Sequence, residues 1–171
     1  VEPLSELVCA RDGWFSRDYD FLLNGEPCGS LEWERGFRPR ALAETNGCAW
    51  WIEPRGMGSG GGHVMLVPGS TSIVAMVTRR LFRRTLISLA DGRLYQWRRA
   101  AAFSLSLSYG IRLDGVELIA FSSRWGMAGR PKVRIQVWPA GARSTNGEDL
   151  PILIFLGSYL LLRAVAAQGW S

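Results

Sequence analysis

The chain has 171 residues, enough for one domain spanning 1–171, and its 47% hydrophobic content excludes a disordered segment. The formal charge of +5 comes from 20 basic and 15 acidic residues; Lys132 is the sole lysine, so arginine supplies nearly all the positive charge. Cys9, Cys28 and Cys48 are odd in number and lack CxxC pairing, which argues against a disulfide framework or a zinc site.

From the N-terminus, residues 1–13 carry acidic side chains and no apolar leader run. With the unpaired cysteines, that points to a reducing cytoplasm. No stretch before Thr145 reads as a long amphipathic helix, and residues 8–10 and 79–84 are too short or ambiguous to count. The next signals are alternating apolar runs joined by turn dipeptides. Residues 19–23 and 29–34 flank Asn24-Gly25, and 40–45 and 48–53 flank Asn46-Gly47. Residues 63–67 and 72–78 follow as further strands. Then 85–89 and 93–99 flank Asp91-Gly92, 104–111 and 116–122 flank Asp114-Gly115, and 132–138 ends the series. Asn-Gly and Asp-Gly favour type I′ turns, because both central residues need positive φ. The pattern predicts a meander of about eleven or twelve strands. Within 93–99, Tyr95 and Trp97 share one face, so that face is expected to be buried.

The last segment changes character. Asp149 suits a helix N-terminus, Pro151 is tolerated in a first turn, and Gly169 suits a stop, which predicts a helix over about 150–168. Its uncharged run, 150–162, is only 13 residues before Arg163, against about 20 for a membrane span. Yet it is apolar on every face, and a surface helix keeps a polar stripe. Such a helix is expected inside a barrel, with Gly157 and Ser158 allowing the sheet to approach. The fold class is therefore all-β, a roughly 12-stranded antiparallel barrel enclosing a hydrophobic C-terminal helix.

Tyr19-Asp20-Phe21-Leu22-Leu23-Asn24-Gly25, the stretch Leu89-Ala90-Asp91-Gly92-Arg93-Leu94-Tyr95-Gln96-Trp97, and the apolar helix 150–162 resemble the tubby-like barrel superfamily. That superfamily includes tubby C-terminal domains, LURP-one-related proteins and phospholipid scramblases, and the likeness is greatest to its small bacterial members. The resemblance covers nearly the whole chain and is one of architecture rather than of a diagnostic motif. It implies about twelve strands around a central helix, and functions that vary from phosphoinositide binding to action on membrane lipid. No phosphoinositide-binding position carries over, and Glu148-Asp149 is too short to stand for the scramblase calcium segment.

No enzyme is expected. Residues 56–61 match GxGxxG, but a strand rather than a helix follows and no Walker lysine is present, so no nucleotide cofactor is implied. His63 is the only histidine, and neither GxSxG nor HExxH occurs. Arginine clustering is the most informative polar feature: Arg79, Arg80, Arg83 and Arg84 precede the Asp91-Gly92 hairpin turn, and Arg93, Arg98 and Arg99 follow it. Pairing about that turn sets Arg84 near Arg99, so both groups are expected at one end of the sheet. Such crowding is unfavourable unless water or an anion relieves it. An arginine surplus can also be no more than the base composition of a genome, and these arginines no more than a solvated loop end. The partner expected is an anionic phospholipid headgroup or membrane surface, met peripherally. Another protein is the alternative, and nucleic acid is less favoured.

Overall fold

At Asn24-Gly25 (φ 54° and 88°) and Asp114-Gly115 (φ 49° and 83°) both central residues take positive φ, the type I′ geometry that matches strand twist. The other two turns depart from expectation. At Asn46-Gly47 and Asp91-Gly92 only the glycine is positive, at 79° and 89°. The Gly92 amide donates to the Leu89 carbonyl, so Ala90 and Asp91 are the central residues there. That loop is one residue longer than a two-residue turn, which shifts the pairing of everything beyond it.

The computed structural model describes residues 2–11, 18–34, 40–56, 62–80, 84–100, 107–125, 131–145 and 147–169. The described residues form twelve strands and two helices. The strands are β1 (Ser5–Arg11), β2 (Tyr19–Leu23), β3 (Glu26–Trp33), β4 (Ala41–Thr45), β5 (Cys48–Arg55), β6 (Gly62–Leu66), β7 (Ile73–Arg80), β8 (Arg84–Leu89), β9 (Leu94–Arg99), β10 (Ser108–Leu113), β11 (Val116–Trp125) and β12 (Pro131–Val137). The helices are α1 (Pro139–Ser144) and α2 (Asp149–Gly169). Each strand pairs antiparallel with its chain neighbours, and β1 pairs with β12, closing the barrel.

Two elements went unread in the sequence. β1 covers residues 8–10, which were too short to read, and extends beyond them in both directions, with Leu7 and Cys9 facing the core. α1 is little more than one turn, and its Gly141 meets the sheet so closely that a Cβ there would sit 2.5 Å from the Leu118 carbonyl oxygen. Part of the predicted strand 104–111 and most of the GxGxxG segment lie outside the described residues.

Twelve strands about 4.8 Å apart, tilted about 40°, give a barrel roughly 24 Å across. The axis-to-wall distance of roughly 12 Å leaves room for one helix and a layer of side chains, since a helix with side chains is about 10–12 Å wide. α2 fills that space. Leu153, Leu156, Tyr159 and Leu161 are fully buried, so the helix has no solvent face over its middle turns. Phe155 meets Phe21 edge-on at 4.6 Å between ring centroids, and Tyr159 stacks on Trp33 at 4.9 Å. By length and composition α2 also meets the test for a membrane span, but here the barrel encloses it.

Ser158 is fully buried and its hydroxyl has no hydrogen-bond partner among the described residues. Leaving such a group unmatched costs about 1–3 kcal/mol. Ser158→Ala should therefore raise the urea midpoint, by about 1 kcal/mol of stability; a lower midpoint would mean that the hydroxyl is matched.

Candidate anion-binding site

Strands of an up-and-down barrel alternate in direction, so every odd-numbered strand finishes at one end and every even-numbered strand starts there. The Asn24-Gly25, Asn46-Gly47, Asp91-Gly92 and Asp114-Gly115 turns all lie at the opposite end. α2 begins at the turn end, where the Asp149 carboxylate pairs with Arg93 at the start of β9. It finishes at the other end, where Arg163 Nη1 lies 2.8 Å from Nε2 of His63 in β6.

This geometry divides the predicted arginine site. Arg79 and Arg80 end β7, Arg84 opens β8, and Arg98 and Arg99 end β9, all at the helix C-terminal end. Arg80 pairs in register with Arg84, and Thr85 pairs with Trp97. Continuing by one residue sets Arg84 beside Arg98, not Arg99; the extra turn residue is the reason. Arg93 is separate. It sits at the turn end, about 20 Å from Arg99 along β9 at the usual strand rise. Its guanidinium is engaged by Asp149 and by Asp91 at 2.6 Å, so it ties the start of α2 to the β8–β9 turn and leaves the candidate site. Arg83 lies outside the described residues.

The remaining arginines differ in how they are matched. Arg40 pairs with Glu34 and Glu53, Arg112 with Glu117 and Arg134 with Glu6. Arg98 and Arg99 are exposed and make no ion pair with any described residue. Guanidinium groups so placed can grip phosphate oxygens two at a time.

Three residues at this end, His63, Tyr159 and Arg163, were not singled out as site residues in the sequence. His63 is buried, and Arg79 and Arg163 both act on it electrostatically. A guanidinium only donates, so His63 Nε2 accepts and its ring proton is on Nδ1. Burial first, then the charges of Arg163 and Arg79, hold its pKa down to about 4. A neutral histidine whose lone pair is taken by arginine is not available as a general base. Tyr159 accepts from the same Arg163 nitrogen at 3.3 Å, and burial pushes its phenol up despite that bond. Arg163 thus brings positive charge into the centre of the mouth. Its sequence signal was the single break in an apolar run.

Among the described residues no cluster of His, Cys, Asp and Glu could hold a metal. Burial drives the Cys9 thiol far above its usual range, which makes it a core residue rather than a nucleophile. Compared with known proteins, the chain matches no family model, no curated protein and no solved structure.

Proposed function

We propose that the chain is a non-enzymatic binding module that recognises an anionic phospholipid surface, peripherally and from the cytoplasm, through the arginines of the β7–β9 sector. The observation that carries this reading is the gathering of Arg79, Arg80, Arg84, Arg98 and Arg99 at one end of three neighbouring strands, with Arg98 and Arg99 exposed and unmatched among the described residues. The closed barrel around a C-terminal helix agrees with the tubby-like resemblance and supports the reading further. Anionic surfaces contribute about 1 kcal/mol per arginine near the bilayer. Three arginines changed together should therefore weaken binding by more than a hundredfold. In liposome flotation, the protein should rise with phosphatidylserine vesicles, less so as salt increases. The triple change of Arg80, Arg84 and Arg99 to Glu should leave it at the bottom. Undiminished flotation of that variant would defeat the proposal.

A second reading, a protein-interaction domain without a ligand site, has one observation in its favour. Leu4, Leu23, Val67, Ile73, Leu94 and Val116 are large, exposed, and all at the turn end. A stable protein partner lost on changing Leu94 and Val116 to Ser, with no lipid binding, would favour it.

A further inference from the structure

The end of the barrel at which α2 begins is built unlike the rest of the surface. Its connections lie among the described residues, Asn146 apart. Six large apolar side chains stand exposed around it: Leu4 before β1, Leu23 closing β2, Val67 after β6, Ile73 opening β7, Leu94 opening β9 and Val116 opening β11. Leu4, Leu94 and Val116 are more than half exposed, at 65%, 56% and 51%. Met76, within β7, is the one other exposed large hydrophobic among the described residues. Apolar surface gathered in this way and rimmed by polar groups marks an interaction site.

Charge selects the partner. Glu2, Glu26, Glu44, Asp114 and Glu148 are exposed at this end and make no ion pair with a described residue. Arg93 is shared between Asp91 and Asp149, which leaves that group of three negative. Arg112 and Glu117 cancel each other, as do Arg134 and Glu6 farther along the wall. Against these carboxylates stand Arg143 on α1 and about half a positive charge from the N-terminus of α2. A chain with a formal net charge of +5 thus presents one acidic end.

We infer that this end docks a basic amphipathic helix of another protein. The apolar tips take the apolar stripe of that helix, and its lysines or arginines meet Glu26, Asp114 and Glu148. In the closed order β7 and β1 stand six strands apart, so Ile73 and Leu4 lie on opposite sides of an end roughly 24 Å across. A helix of about 16 residues covers that span, at about 1.5 Å per residue. Apolar anchors give such a contact its affinity, and charge sets its orientation and partner choice. The same carboxylates exclude other occupants. An anionic bilayer and a nucleic acid are both repelled. A second copy docked end to end sets like charges face to face. Arg98 and Arg99 lie at the opposite end, so this contact neither uses nor blocks the lipid contact proposed above.

The probe is a fluorescein-labelled helical peptide of about 16 residues, leucine on one face and lysine on the other. The full chain is titrated into it and binding is read by fluorescence anisotropy, beside a peptide with glutamate in place of lysine. The lysine peptide should bind at least about tenfold tighter at low salt, and the margin should narrow as salt rises. Leu94→Ser combined with Val116→Ser should weaken it about tenfold. Glu26→Gln combined with Asp114→Asn should weaken it about fivefold. Glu32→Gln, an exposed position near the far end of β3, should change nothing. All five side chains are exposed, so these variants keep the fold. Equal affinity for the two peptides overturns the inference, as does a loss for Glu32→Gln matching that of the Glu26 and Asp114 pair. Flotation with neutral phosphatidylcholine vesicles, abolished in the Leu94 and Val116 variant, overturns it in favour of a bilayer. Sedimentation as a dimer, abolished in the same variant, overturns it in favour of a second copy. Flotation with phosphatidylserine vesicles should be the same for that variant as for the unmodified chain, so failure of the lipid reading is seen separately.

Discussion

Gly157→Leu should leave the chain unable to form its native barrel, and even Gly157→Ala should cost about 1–3 kcal/mol. A Cβ at position 157 would lie 2.3 Å from Cζ of Phe121 and 2.8 Å from both Cε atoms, well inside contact distance. Phe121 cannot retreat. It is buried against Trp97, at 5.4 Å between ring centroids, and Trp97 is stacked on Tyr109 at 4.9 Å. Alanine ordinarily gains about 1 kcal/mol over glycine inside a helix. Here the clash opposes that gain, and leucine adds three more carbons to a full interior. Circular dichroism melts of the two variants check the order. An alanine variant as stable as the unmodified chain would mean that the Phe121 ring can turn aside.

The second large effect is acid sensitivity centred on His63. Its pKa is about 4 in the fold and about 6.5 in the unfolded chain. Because the folded value is the lower, the unfolded chain takes up the proton first as pH drops. The stabilising contribution is complete above about pH 6.5 and is lost as pH falls through about 4. The loss amounts to about 2 kcal/mol by pH 5 and about 3 kcal/mol by pH 4. His63→Gln keeps an acceptor for Arg163 but cannot titrate. Urea unfolding at pH 7 and pH 5 should show the unmodified chain losing about 2 kcal/mol more than this variant. Equal losses would mean that His63 binds its proton as readily folded as unfolded. Carboxylates that titrate in the same range act on both proteins alike, so the difference isolates the imidazole.

Most of the barrel was readable because turn chemistry and alternation are local. Asn24-Gly25 and Asp114-Gly115 each announced a hairpin, and the buried Tyr95 and Trp97 lie on the face their alternation predicted. β1 went unread although Asp12-Gly13 follows it directly; it is defined by its ladders to β2 and to the distant β12. α1 was hidden by Gly141, a poor helix former kept there by contact with the Leu118 backbone. The arginine site was half readable. Nearness in sequence put Arg93 with Arg98 and Arg99, although a strand separates its ends by its whole length. The better signal is parity, since every second strand of a meander ends at the same mouth. Applied to Arg11, Arg55, Arg80, Arg99 and Arg124, parity places all five at one end. An uncounted β1 costs that rule only Arg11, because the strands after it keep their parity relative to one another.

The order of the elements has a consequence for biosynthesis. The strands that form the wall of the barrel precede the helix that fills it. Until α2 leaves the ribosome, residues such as Phe21, Trp50 and Phe121 have no Phe155 or Gly157 to close upon. Closure also joins β1 to β12, where Glu6 meets Arg134 across 128 residues. Pairing so distant in sequence slows folding. The nascent strands therefore wait as an unclosed, apolar-faced sheet with two open edges, the kind of species that chaperones protect. The barrel is completed only when α2 arrives, and shortening α2 should cost solubility before it costs any binding contact.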